Sequence, residues 1–565
     1  MKKYIQFIIS SLLLFQLSSC DILDRYPLDA PSDATFLATE AELTAAVAAC
    51  YQVMWQAIDE APVLMCLDQV SDIGWNRNVH AMQQVGSNSY DATNGMITSI
   101  WTWFYSAIAK CNYVLANMHH GENVIQSSVF LRYKAEVQFL RVLYYSYLIE
   151  LWGDVPLITE PLTLSTGQSY KSHKADIVRF LLQELDEAAP NLLDANITLP
   201  TNGRPTNGAA LALKSRIALY NELWNEAIDA AEKVMDMENA PYILDGNFKT
   251  LFQYAGMNSK EIIFSTQYLK GVSPNQPLVR LFGPRNAMCH TNKKPAYQMA
   301  DAWECIDGLS IDKSPLFNPK DPFTNRDPRL GYTLAVPGSI FVGFQFETHG
   351  DSLQCWNYNT SPPRRISNEE AIHAYASFTG ICWRKYVDSL DLPDLFGDLN
   401  IILLRYAEVL LNYAEAKIEK GDITDGKALA AINKIRARKS VEMPPVVATT
   451  QVELRNAVRR ERKYELSCEG FRLFDIRRWR IAEVVMNENF LGRMKKDYPD
   501  KAPRIDEMAN AFYDNGIPIA DQGQSADHMM RVVEVRKNTF RQEHYLWPIP
   551  SVERETNLNI DKYVE

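Results

Sequence analysis

IILLRYAEVLLNYAEAKIEKGD, residues 401–422, carries the clearest helical pattern in the chain. Leu403, Leu404, Ala407, Leu410, Leu411, Ala414 and Ile418 recur at the i, i+3, i+4, i+7 spacing of an amphipathic helix. Gly421-Asp422 stops the pattern, glycine being the residue that most readily turns a chain out of a helix. A second helical pattern follows at once in GKALAAINKIRARKS, residues 426–440, with Ala428, Ala431, Ile432 and Ile435 inward. The same helix–turn–helix plan recurs in AALALKSRIALYNELWNEAIDAAEKVMD, residues 209–236. There Leu211, Ile217 and Ala218 face Ala227, Ala230, Ala231 and Val234 across the turn at Asn221 to Trp224. Alanines at facing positions let two helix backbones approach closely.

These pairs predict a mainly α fold built on a scaffold of tetratricopeptide-like helical hairpins, although no strict 34-residue period is present. Further helical pairs are expected around 97–118, 126–151 and 174–189. Between about 241 and 397 the pattern gives way to Pro, Gly and Asn, scattered aromatics and short β-like runs: EIIFSTQY, GYTLAVPG and GICWRKYV. A similar break occupies residues 69–95. Long irregular segments inside a helical protein usually carry function. The expected organisation is therefore one domain over 20–565, with a helical scaffold over roughly 30–240 and 398–565 and loop-rich elaboration at 69–95 and 241–397.

Bulk properties exclude several classes. A net charge of −11 argues against nucleic acid as the main partner. The nine cysteines form no CxxC or other metal-ligand spacing. Cys111 and Cys468 fall in helical patterns and read as small buried hydrophobes. The chain begins MKKYIQFIISSLLLFQLSSC. Two lysines precede an apolar run too short for the ~20 residues of a membrane span but suited to an export signal. Leu17-Ser18-Ser19-Cys20 resembles the bacterial lipobox, which implies a signal peptide over 1–19 and a lipid tether on Cys20. The alternative is an ordinary signal with a chance cysteine.

Four further stretches resemble the SusD/RagB family in that family's order. They are KAEVQFLRVLYYSYLIELWGDVPLIT (134–159), LLRYAEVLLNYAEA (403–416), LRNAVRRERKYELSCEGFRLFDIRRW (454–479) and YLWPIPSVERETNLNI (545–560). NGRPTNGAALALKSRIALY and NRDPRLGYTLAVPG fit it as well. The resemblance implies a surface-exposed outer-membrane lipoprotein that captures oligosaccharide, or in some members peptide. Such a protein hands its ligand to a SusC-like TonB-dependent β-barrel transporter and does no chemistry itself. The rival readings are a surface glycosidase and a tetratricopeptide scaffold that binds only proteins.

Candidate catalytic groups read as structure. Glu408 and Glu415 share a helix face, as do Glu461 and Glu465, but Arg405, Asn412, Arg462 and Arg472 interleave with them, which points to ion pairs and not to a glycosidase acid pair. GDITDGKA, residues 421–428, nearly matches a phosphate-binding loop, but Ala428 stands where Ser or Thr is required. No HExxH or GxSxG motif occurs. Asp391, Asp394 and Asp398 offer carboxylates to calcium but lack EF-hand spacing; no cofactor is expected, a calcium ion at these aspartates being the alternative.

A sugar site needs rings for the apolar faces of the sugar and planar polar groups for its hydroxyls. Trp101, Trp103, Tyr105, Tyr144, Tyr145, Trp152, Trp479 and Trp547 lie in helical patterns or structural motifs and are expected in the core, as is Trp303; Trp383 faces either way. Trp75-Asn76-Arg77 puts a ring, an amide and a guanidinium in one break, the alternative being that Trp75 plugs the scaffold. Trp356-Asn357-Tyr358 offers the same chemistry in the middle region, and Arg285, Asn286 and His290 form a lesser polar candidate.

Overall fold

The computed structural model describes residues 36–163, 166–199, 202–271, 276–376, 378–498, 531–536 and 538–564. The signal sequence and Cys20 lie outside them. The long helices are α1 (Glu40–Cys50), α2 (Gly95–Asn117), α3 (Ser127–Trp152), α4 (Lys174–Ala188), α5 (Asn207–Tyr220), α6 (Trp224–Met235), α7 (Tyr406–Lys420), α8 (Lys427–Arg436) and α9 (Gln451–Leu466), followed by the short α10 (Arg472–Arg478). Each from α2 to α8 packs on the next, and α9 packs against α7. This is the hairpin array expected, and the fold is mainly helical and tetratricopeptide-like. The caps are written locally. Thr39 and Glu42 close a capping box on α1, and Thr450 and Glu453 do the same on α9. Gly421, at φ +83°, ends α7.

One boundary differs from expectation. Residues 401–405 do not open the helix; Ile401–Arg405 is a strand, antiparallel to Ile262–Thr266, and α7 starts at Tyr406. The cause is Arg405. Its guanidinium reaches Glu261 and Glu465 at 2.8 Å and Glu469 at 2.7 Å, an arrangement for which its backbone is extended. All five strand residues are buried, so a run of four apolar residues shows no alternation by which to recognise a strand.

A buried ionic frame joins distant segments. Arg438 pairs with Glu465 at 2.6 Å and with Glu261. Arg329 pairs with Asp327 at 2.8 Å, Glu465 at 3.0 Å and Glu461, while Arg436 links Glu461 to Glu304. Glu408 is taken by Arg216, and Glu415 by Arg478 and Arg462. Asp68 accepts the backbone N–H groups of Glu469, Gly470 and Arg472 at 2.9–3.0 Å. Close approach there requires Gly470: at φ +88° a β-carbon would stand 2.2 Å from the Leu64 carbonyl oxygen. The eight described cysteines are all buried free thiols.

The middle region holds small antiparallel sheets. The one that matters for the site has four strands: β1 (Ile340–Phe341), β2 (Phe344–Gln345), β3 (Gln354–Asn357) and β4 (Arg364–Ser367), with β4 at the edge in the order β4-β3-β2-β1. Val342 and Gly343, both at positive φ, make the two-residue turn between β1 and β2 that a tight hairpin demands.

Candidate ligand-binding site

Alternation along β3 sets the first candidate surface. Gln354, Trp356 and Tyr358 are exposed, Cys355 is buried and Asn357 is half-buried, so one strand face looks outward. Trp356 is 37% and Tyr358 43% exposed, and their rings lie 6.4 Å apart with an interplanar angle of 30°. Across the ladder Trp356 pairs with Arg365, whose guanidinium carbon stands 5.6 Å from a Trp356 ring centroid. The Asn357 side chain accepts from the N–H of Asn359, and Tyr358 donates its N–H to the Gly343 carbonyl at 2.7 Å, which fixes the end of the strand. Rings held in this way offer a platform for the C–H face of a sugar, with a planar guanidinium alongside for its hydroxyls.

The second candidate divides. Trp75 and Asn76 are not on a loop surface. With Gly74 they form a strand paired to Lys293–Pro295. Trp75 is 5% exposed, packed on Phe378 and Phe490, and donates its indole N–H to Glu534 at 3.0 Å. The Asn76 side chain accepts from the buried Lys293 ammonium, which also reaches Asp59 at 2.7 Å. An apolar ring with one N–H is well matched to a partly polar core, and Trp75 is the plug of the alternative reading.

Arg77 does reach the surface. It donates to the Tyr375 carbonyl at 2.9 Å, and its guanidinium lies 4.8 Å from the centre of the exposed Tyr375 ring. The Tyr375 ring neighbours His373 at 5.8 Å, and His373 Nε2 is 3.0 Å from Arg285. Arg77 and Arg285 therefore come together, as their sequence positions do not suggest. Burial and the Arg285 charge both lower the pKa of Arg77. His290 sits at the same surface, 3.7 Å from Glu60, with its pKa lowered by burial and by Arg280. Asn286 is buried and structural: it bonds Asn368 and accepts from the N–H of Glu369, tying this loop to the end of β4. Tyr375, His373 and Arg365 were not picked out from sequence. For Arg365, the alternating segments QCWNY and RRIS around a Pro-Pro turn are a hairpin signal that could have found it.

The remaining aromatics sort as expected. Trp101, Tyr144, Tyr145, Trp152, Trp479, Trp547 and Trp303 are buried, and Trp103 and Tyr105 pack half-buried against the core. Trp383, open in the sequence, is fully buried. The acid group near 391–398 is internally engaged. The Tyr254 hydroxyl lies 2.6 Å from Asp391 and 2.9 Å from Asp398, and the Lys270 ammonium 3.4 Å from Asp394. Burial pushes Asp391 up to about 6. Among the described residues no cluster of three or more His, Cys, Asp or Glu is arranged to hold a metal.

Residues 251–565 match the sequence model of the SusD family. The chain belongs to the SusD family. Residues 23–219 match a second model of that group, described as starch-binding and associating with the outer membrane. A SusD-like protein of Formosa agariphila is 25% identical over 525 residues, 87% of this chain and 93% of that one. The crystal structure of a SusD-like carbohydrate-binding protein from Bacteroides fragilis superposes with a TM-score of 0.79 at 27% identity, covering 93% of this chain and all of that one. Surface glycan-binding protein A from Bacteroides fluxus shares the fold, with a TM-score of 0.64 at 19% identity over 94% and 99% of the two chains. No described helix of this SusD-family chain is long and apolar enough to cross a membrane.

Proposed function

We propose that this SusD-family protein is a cell-surface lipoprotein that captures oligosaccharide and hands it to a partner TonB-dependent β-barrel transporter. Residues 20–565 act as one binding unit, tethered to the outer membrane through Cys20 and facing the cell exterior. The observation that carries the reading is the exposed Trp356–Tyr358 pair with Arg365 beside it, a sugar-stacking surface on a member of a family with starch-binding and outer-membrane association. Trp356, Asn357 and Tyr358 supply the principal contacts, and Arg77 with Tyr375 a further polar and aromatic edge. The protein does no chemistry: Glu408, Glu415, Glu461 and Glu465 are each committed to arginines, and a carboxylate so paired is a poor proton donor or acceptor.

Calorimetric titration of the chain lacking residues 1–20 against plant, microbial and host oligosaccharides tests this, with a peptide pool alongside. Saturable binding to one glycan class is expected, weakened at least about tenfold, or about 1.4 kcal/mol, by Trp356→Ala. Response to peptides alone would replace glycan with peptide as the cargo. Hydrolysis products would overturn the non-enzymatic reading.

A further inference from the structure

On another part of the molecule a groove of about 740 Å³ opens between the C-terminal end of α3, the turn joining α5 to α6, α10 and the C-terminal segment. Its size falls within the range of small-molecule sites. Arg477 lines it. This residue belongs to the Asp-Ile-Arg-Arg-Trp motif, whose other arginine, Arg478, is accounted for by Glu415 at 2.6 Å and Asp475 at 2.8 Å. Arg477 is only 8% exposed, yet its Nε and Nη1 have no hydrogen-bond acceptor and its guanidinium no carboxylate partner among the described residues. Its neighbours are the Trp547 ring at 5.7 Å and the Tyr90 phenol; the phenol gives it a weak polar contact, but neither carries a negative charge at neutral pH.

That isolation is unusual among the buried arginines of the described residues. Arg216, Arg329, Arg405, Arg438 and Arg462 are equally buried, and each holds at least one carboxylate. Arg326, which has none among the described residues, donates instead to the backbone carbonyls of Ala300, Trp303 and Pro322. Burying a charge with only a neutral phenol beside it is costly. The groove's own acids do not supply it. Glu150 is taken by Lys174 and Asn221, Asp154 receives the Tyr563 hydroxyl and the Lys174 N–H, and Glu222 and Glu543 are exposed. Two more cations without carboxylate partners among the described residues line the same space. One is the exposed Arg480, stacked over Tyr545 at 4.5 Å, and the other is Lys171 over Tyr563 at 4.8 Å. Trp152, Tyr545 and Leu546 give it apolar walls.

We propose that this groove is a second binding site, taking a small organic ligand whose carboxylate is received by Arg477, with Arg480 and Lys171 at the mouth and the apolar walls against the ligand's body. A uronic acid residue and an acidic peptide side chain share this chemistry. Titration of the protein with a glucuronate-ended trisaccharide, the same trisaccharide reduced to the neutral sugar, and an N-acetylated glutamyl dipeptide separates the two sources. The acid form of at least one probe is expected to bind saturably, at least tenfold tighter than its neutral or amide counterpart. Arg477→Gln is expected to weaken it at least tenfold, while Trp356→Ala and Tyr358→Ala leave it unchanged. Equal binding of acid and neutral probes, no binding at all, or a folded Arg477→Gln protein of unchanged affinity would overturn the proposal. Should Arg477→Gln not fold, Leu546→Trp fills the groove from a half-exposed position without touching the arginine; unchanged affinity in that variant would overturn it equally.

Discussion

Trp356 and Arg365 are cross-strand partners on the outer face of an edge hairpin, the guanidinium carbon 5.6 Å from the indole. Both are solvent-facing, so neither holds the fold. Trp356→Ala is expected to lower glycan affinity at least about tenfold, and Arg365→Ala about two- to fivefold, the latter reflecting the ~0.5–1 kcal/mol of an exposed cation–π contact that orients the ring. Thermal midpoints should stay within about 1 °C of the parent in both variants. Calorimetry and a melting curve on the same samples check this; a large drop in melting temperature would show the ring to be structural.

Trp75 is the opposite case. Its ring fills the space between Phe378, Phe490 and Ala296, and its N–H satisfies Glu534. Trp75→Ala should destabilise the protein by about 3–5 kcal/mol, as large-to-small aromatic replacements in cores do. Glycan affinity, measured well below the melting temperature, should change less than about threefold. Denaturant unfolding and titration together decide between plug and platform.

Glu465 is one source of acid sensitivity. Burial alone would raise its pKa, but Arg438, Arg405 and Arg329 outweigh burial and hold it well below the ordinary 4.5. A carboxyl whose folded pKa is depressed contributes stability that is present above its unfolded value and is lost as pH falls toward the folded one. Glu465→Gln should therefore cost about 3–5 kcal/mol at pH 7, the penalty of stranding buried arginines. The gap should close by about 1.4 kcal/mol per pH unit below 4.5. Urea unfolding at pH 7, 5 and 3.5 measures it; a gap that stays constant or widens in acid would refute the assignment.

Asp68 receives three backbone N–H groups, two on one oxygen and one on the other. Asn cannot accept on both sides, so Asp68→Asn leaves at least one buried donor unmet and should cost about 1–3 kcal/mol. Hydrogen exchange at the amides of Glu469, Gly470 and Arg472 should accelerate selectively. Uniform acceleration would point to global destabilisation alone.

The helical scaffold was legible because its information is local: a 3.6-residue period, Thr-x-x-Glu starts and a glycine stop at Gly421 are all contained within twenty residues. The strand at Ile401–Arg405 was not, since its identity comes from Ile262–Thr266 and from carboxylates that Arg405 meets only in three dimensions. Trp75 failed as a surface residue for the same reason. Asn76 and Arg77 describe its chemistry, but Glu534, 459 positions away, decides its burial. The exposure of Trp356 and Tyr358 could be read because β3 alternates. The meeting of Arg77, Arg285, His373 and Tyr375 could not, because three separate loops supply them.

The seat of Asp68 also bears on how the chain is made. Its three amide donors lie about four hundred residues downstream, and the arginines that neutralise Glu261 come from positions 405 and 438. Chains emerge from their N-terminus, so Asp68 and Glu261 each wait through a long stretch of synthesis for the groups that satisfy them. Contacts of such sequence separation form slowly and late. Native closure must therefore await the distal third of the polypeptide. A chain that locks only at its end stays threadable until then, which would suit the export that the proposed cell-surface location calls for.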